Sequence, residues 1–116
     1  VELAVAHDIL VISDEVYDEM VFDGGHTTAA ALAPENVVSV FSFSKTYAMT
    51  GWRVGYALVP SWLADTVVRI LELQSSCVSS VTQAAALAAI TGPQAIVGEM
   101  RDAYRRRRDL AAGILS

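Results

Sequence analysis

The chain carries a single lysine, Lys45, in 116 residues, and every other cation is an arginine. Lysine is normally a common residue, so its scarcity draws attention to this one. An amine can lose its proton and attack a carbonyl to form a Schiff base, which a guanidinium cannot do. The flanks suit that chemistry: the run is Ser42-Phe43-Ser44-Lys45-Thr46-Tyr47-Ala48-Met49-Thr50-Gly51-Trp52-Arg53. Ser42 and Ser44 bring hydroxyls, and Arg53 brings a planar fork suited to a phosphate. Upstream, Asp14 and Tyr17 set a carboxylate and a phenol three residues apart. His7 and His26 have no metal-ligand spacing with each other or with Cys77, so they are assigned no role.

The elements that must position these groups follow from the apolar pattern. Ile9-Leu10-Val11-Ile12 is a short continuous apolar run with β-branched residues, which predicts a strand buried on both faces. Asp14 and Tyr17 then fall at and just past its C-terminal end, where ligands of open α/β sheets collect. Val37 to Phe41 predicts a second buried strand that delivers Ser42, Ser44 and Lys45 to its end. Arg53 to Val59 predicts a third strand, stopped by Pro60. Asp23 to His26 reads as a turn, and Thr27 to Leu32 as one or two helical turns before Pro34. Ser61 is expected to cap a helix from Trp62 to about Gln74, and Ser79 or Ser80 a second helix to about Thr91. Gly92-Pro93 breaks the pattern, and a long helix is expected from about Gln94 onward. Val1 to His7 reads as the later part of a helix, so the chain is expected to be a fragment of a longer protein.

The segment Ser42 to Tyr56, with Ser-x-Ser-Lys, seven residues, Arg and then Gly51-Trp52-Arg53-Val54-Gly55-Tyr56, resembles the cofactor-lysine motif of the class I/II pyridoxal-phosphate-dependent aminotransferases of fold type I. Val11-Ile12-Ser13-Asp14-Glu15-Val16-Tyr17 is similar to the strand of that family that ends in Asp-x-x-Tyr. The resemblance covers essentially the whole chain. It implies an α/β fold with mainly parallel strands and flanking helices. Residues 1–92 would be the later part of the large, cofactor-binding domain and residues 93–116 a long helix leading toward the small domain.

The resemblance also implies roles. Lys45 would form the imine with the aldehyde of pyridoxal phosphate and later carry a proton, Asp14 would face the pyridine nitrogen, and Tyr17 would bond the phenolic oxygen. Ser42 and Arg53 would hold the phosphate, with Ser44 a weaker candidate. The expected substrates are an amino acid and a 2-oxo acid. A homodimer is expected, with Ser75 to Ser80 approaching the neighbouring subunit's site. Two other activities share these residues: a lyase or synthase of the same fold (C–S β-lyase or cyclopropane-carboxylate synthase), and an aminotransferase-like sensor domain of a transcriptional regulator.

Composition narrows the classes. The apolar fraction of 53% and mean hydropathy of +0.42 are high for a free-standing domain and predict surface that something else covers. Net charge of -5 argues against a general nucleic-acid or anionic-membrane binder. Four consecutive arginines, Arg105 to Arg108, sweep round a helix rather than forming one patch, and with Asp102 and Asp109 they predict a solvated, salt-bridged helix. A lone Cys77 cannot form an intrachain disulfide, which suits the cytoplasm. Four site residues also have plainer readings: Lys45 as a surface residue, Asp14 as a turn former, Tyr17 as core filler, Arg53 as half of a structural ion pair. Trp52 and Tyr56 are expected to pack rather than react.

Overall fold

A computed structural model describes residues 1–115 as a three-stranded sheet with helices before and after it. A short helix α1 (Glu2–Ala6) leads to β1 (Val11–Asp14). A long connection follows, with a 3-10 turn at Ala29–Ala31, and then β2 (Val37–Ser42). A one-turn helix α2 (Phe43–Thr46) and a 3-10 turn at Thr50–Trp52 lead to β3 (Gly55–Leu58). Three helices complete the chain: α3 (Ala64–Ser75), α4 (Ser80–Thr91) and α5 (Ala95–Leu115).

The strand order is β1-β2-β3, with β1 and β2 parallel (Val11 opposite Val37, Asp14 opposite Val40). β3 runs antiparallel to β2, with Ser39 opposite Leu58 and Ser42 opposite Gly55. Gly55 is required where it sits, because a Cβ there would collide with the Phe41 carbonyl oxygen.

β2 is the centre of the core. Alternate residues Val37, Ser39 and Phe41 are buried, as a pleated strand requires. A second cluster forms where α4 lies on the α2 region: Phe43, Met49 and Ala86, with Tyr47 and Val54 against them. Phe41 stacks on Tyr56 with ring centroids 4.7 Å apart, so one face of Tyr56 packs as expected, although Tyr56, like Trp52, is half exposed.

Three expectations are corrected. β1 is not buried on both faces: it is an edge of the sheet among the described residues, and Ile12 is 73% exposed. The apolar run marked a strand suited to double burial, but helices cover neither side of it here. Ser61 does not cap α3, which starts at Ala64 with Leu63 before it. The Leu63 amide donates to the Pro60 carbonyl in a turn that delays the helix past Ser61, and the Ser61 hydroxyl donates to the Glu35 carboxylate at 3.2 Å. At α4, Ser79 occupies the cap position without a side-chain bond.

α4 ends at Thr91, before Gly92-Pro93 as expected, and Gln94 caps that end: its amide donates to the Ala89, Ile90 and Gly92 carbonyls and so occupies the groups a helix C-terminus leaves open. Its oxygen accepts from the Tyr47 hydroxyl at 3.0 Å and ties that end back to the segment after α2.

The radius of gyration is 16.9 Å, against about 13–14 Å for a compact chain of this length. α3 buries no residue, and Leu73 on it is 89% exposed. α4 is apolar all round, a pattern of helices covered on every side, yet Val81, Leu87 and Ile90 are exposed. The surface that the composition predicted is therefore present on α3, α4 and β3.

Candidate active site

Strand direction brings the five candidate residues to one end of the sheet. β1 and β2 are parallel, so Asp14, last in β1, and Ser42, last in β2, leave at the same end. β3 is antiparallel and starts at that end, opposite Ser42, so Arg53, two residues before it, lies there too. Tyr17 follows β1 and Lys45 follows β2.

The turn from strand to helix at Lys45 has a local cause. The Ser42 hydroxyl oxygen accepts from the Ser44 amide at 3.1 Å, an N-cap that starts α2 at Phe43. The hydroxyl keeps its own proton free to donate. One turn later the backbone at Ala48 and Arg53 takes left-handed values, φ 54 and 51, at non-glycine positions. Such residues cost about 1–2 kcal/mol each and collect at functional sites. The strained segment is laced to itself: the Thr50 hydroxyl donates to the Ser44 carbonyl, and Arg53 Nη1 donates to the Thr50 carbonyl at 3.1 Å.

Lys45 Nζ lies 5.8 Å from the centre of the Tyr17 ring. Both line a cleft of about 350 Å³ with Met20, Phe22 and Tyr104. Asp14, Ser42 and Arg53 do not line it. Asp14 accepts from the Val16 amide at 3.2 Å and is otherwise exposed. Among the described residues neither Lys45 nor Arg53 has a carboxylate partner, so the plainer ion-pair reading of Arg53 finds no support.

The far wall of the cleft depends on α5. Arg105 donates to the Phe22 carbonyl at 2.8 Å, Arg108 lies over the Phe22 ring at 4.8 Å, and Arg108 also reaches Asp23 at 3.5 Å. The arginine run is salt-bridged to Asp102 and Asp109 as expected, but two of its members also hold the loop that carries Phe22. That clasp joins residues 83 apart and has no local sequence signal.

Neither Glu15 nor His26 is assigned a role from the sequence, yet the two are paired. The Glu15 carboxylate is buried at 4% exposure, and it accepts from His26 Nε2 at 2.6 Å and from the Ala29 amide at 3.1 Å. Burial pushes its pKa up, but hydrogen bonds from Ser39, His26, the Ala29 amide and Ser13 together outweigh burial and leave it below the ordinary glutamate value. The signal was available: successive strand residues point to opposite faces, so if Asp14 faces the ligand end, Glu15 must face inward and need partners.

Tyr47 and Tyr56 both have raised pKa values. For Tyr47 the cause is burial and then the nearby Glu19 and Asp18, and for Tyr56 burial and then Asp18. Both phenols stay protonated and serve packing. No cluster of three His, Cys, Asp or Glu side chains among the described residues could hold a metal, and none of their helices is long and apolar enough to cross a membrane.

An α/β sheet that gathers an amine, a carboxylate, a phenol, a hydroxyl and a guanidinium at one strand end has the architecture of the fold-type-I transferases. The profile of the family "Aminotransferase class I and II" matches residues 1–116, and the chain belongs to that family. It is 38% identical over 111 residues to the aspartate/prephenate aminotransferase of Thermus thermophilus, covering 93% of this chain and 29% of that protein. It is 40% identical over 117 residues to the arginine–pyruvate transaminase of Pseudomonas aeruginosa, covering 99% of this chain and 30% of the relative. The solved structure of Thermus thermophilus aspartate aminotransferase with maleate matches at a TM-score of 0.89 and 38% identity, over 94% of this chain and 29% of that one. The chain thus spans under a third of the length of these relatives.

Proposed function

We propose that the protein is a pyridoxal-phosphate-dependent aminotransferase that moves an amino group from an amino acid to a 2-oxo acid. The carrying observation is the convergence of Lys45, Tyr17, Asp14, Ser42 and Arg53 at one end of the sheet, with Lys45 and Tyr17 in one cleft. These residues fit the cofactor by chemistry: an amine for its aldehyde, a carboxylate for its ring nitrogen, a phenol for its phenolic oxygen, and a hydroxyl with an unpaired guanidinium for its phosphate. Bound there, pyridoxal phosphate would supply an electron-withdrawing ring.

The chain's own residues then have distinct tasks. Lys45 would hold the cofactor through its Nζ, which, when free, would take and return a proton. Asp14 keeps a proton on the ring nitrogen by facing it with negative charge. Tyr17 orients through its hydroxyl. Ser42 donates to the phosphate with the proton its capping bond leaves free, and Arg53 meets it as a bidentate cation. The transaminase names of the relatives support amino transfer over elimination by a lyase of the same fold, and over a sensor role.

In this reading residues 1–92 belong to the cofactor domain and residues 93–116, mostly α5, lead toward a smaller domain. The protein works as a homodimer in the cytoplasm, with Ser75 to Ser80 and the exposed side of α4 meeting the second copy.

Borohydride reduction of the complete gene product loaded with pyridoxal phosphate, followed by digestion and mass spectrometry, tests the reading. The expected adduct is on Lys45. An adduct absent from Lys45 overturns it.

A further inference from the structure

Five side chains line the Lys45 cleft, and three of them, Tyr17, Met20 and Phe22, come from the connection between β1 and β2. That connection has no regular structure before the 3-10 turn at Ala29–Ala31, so something other than a ladder must fix it. Glu15 stands at its root. The Glu15 amide donates to the Val40 carbonyl at 2.8 Å, which extends the bonding of β1 to β2 by one residue. Its carbonyl accepts from the Asp18 amide at 3.0 Å and starts the turn that holds Tyr17. Its carboxylate reaches across to the far end of the same loop, to His26 and to the Ala29 amide. The adjacent Ala30 amide donates to the buried Ser39 hydroxyl at 3.1 Å, so the far end is also anchored on β2.

We propose that Glu15 is a positioning residue for the cleft: with His26 it closes the loop at both ends and so holds Tyr17 against Lys45. The inference rests on the cofactor reading only for what Tyr17 touches, since the loop closure stands on its own geometry. A buried carboxylate that loses a partner is left with an uncompensated charge, so removing His26 should not be absorbed locally. The loop should open where Glu15 no longer reaches. Asp18, one residue past Tyr17, accepts from the Thr46 hydroxyl beside Lys45 at 3.2 Å, and Arg105 and Arg108 hold Phe22 and Asp23 from α5, so the stretch between those ties, which carries Tyr17, is the part that loosens.

The test uses the complete gene product with His26→Phe, which removes the donor, and His26→Gln, which offers an amide in its place. Without cofactor, hydrogen exchange of the Val16–Phe22 amides should be about tenfold faster in His26→Phe, with Val37–Ser42 in β2 unchanged and His26→Gln returned toward wild type. With cofactor, the visible circular dichroism of the bound group should weaken in His26→Phe and recover in His26→Gln. Wild-type exchange rates in His26→Phe would overturn the inference. So would faster exchange spread equally over β2, or a His26→Gln no better than His26→Phe, because either would mark general destabilisation instead of positioning. If the wild type carries no adduct on Lys45, the cofactor reading fails while the exchange measurement still decides the role of Glu15.

Discussion

The two halves of the molecule are ordered by different forces. The sheet end from Asp14 to Arg53 is fixed by short-range polar bonds: the Ser42 cap, the Thr50–Ser44 and Arg53–Thr50 links, and the Glu15 carboxylate with His26 and Ala29. The helical part from Ala64 to Thr91 has few such bonds and much apolar surface, with no buried residue in α3 and only Ala86 in α4. Polar bonds are directional and satisfied locally, so the site end can take its shape from its own residues. Apolar burial is non-directional and needs a partner surface, and that half does not find one among the described residues. The strand-end part of the site is thus specified locally, with only the far wall of the cleft depending on the remote α5, while the helices from Ala64 to Thr91 are specified by what they meet.

The largest effect that sharpens this contrast is at Lys45. Lys45→Ala in the complete gene product should lower kcat by about ten-thousandfold or more, yet barely move the unfolding midpoint, because the side chain is exposed. Steady-state kinetics beside denaturant unfolding would check both, and a kcat within tenfold of wild type would remove Lys45 from the chemistry. Next comes Phe41, buried in β2 and stacked on Tyr56. Phe41→Ala should cost about 3–5 kcal/mol of stability, read from urea unfolding, and a cost under about 1 kcal/mol would mean the core is not centred on β2.

At Arg53, substitution by Gln should weaken cofactor affinity by about ten- to a hundredfold through the lost charged contact, measured by fluorescence titration. An unchanged affinity would return Arg53 to a structural role. For the helical half, Leu87→Lys should be harmless if its exposed position stays wet and destabilising by about 2 kcal/mol or more if a covering surface meets it. A neutral result in the complete gene product would break the comparison.

Much of the site end was legible in the sequence because its signals are local. The spacing from Lys45 to Arg53, the Asp14–Tyr17 pair and the apolar run of β2 are each contained in a few residues. The strand direction of β3 was not legible, because nothing in Gly55 to Leu58 distinguishes an antiparallel from a parallel partner. Ser61 was misread since the turn closed by the Leu63 amide on the Pro60 carbonyl pushes the helix start past it, and its hydroxyl finds Glu35, remote in sequence. The Arg105–Phe22 clasp and the Gln94 bracket on α4 fall in the same class: side chains that bind backbone carbonyls leave no periodic mark. Glu15 is different. Strand alternation points it inward, where a carboxylate must find hydrogen-bond donors, and that need was legible without knowing which donors meet it.

The smallest expected effect tests that last residue by pH. Its folded pKa lies below the ordinary glutamate value of 4.5, because the donated hydrogen bonds outweigh burial. A group depressed in the folded state binds its proton more readily when unfolded. The stability it contributes is therefore fully present above the ordinary value and is lost as pH falls through the lower, folded one. Glu15→Gln removes the titration but keeps the shape. The stability gap between wild type and Glu15→Gln should be constant from neutral pH down to about 5 and then narrow in more acid solution, as read from urea midpoints at each pH. The site end should thus loosen in acid, while the apolar helical half, which has no comparable buried charge among the described residues, should not follow it. A gap that stays constant well below 4.5 would mean that the carboxylate is not held ionised by its hydrogen bonds from Ser39, His26 and Ala29, and the polar half of the contrast would lose its best-defined bonds.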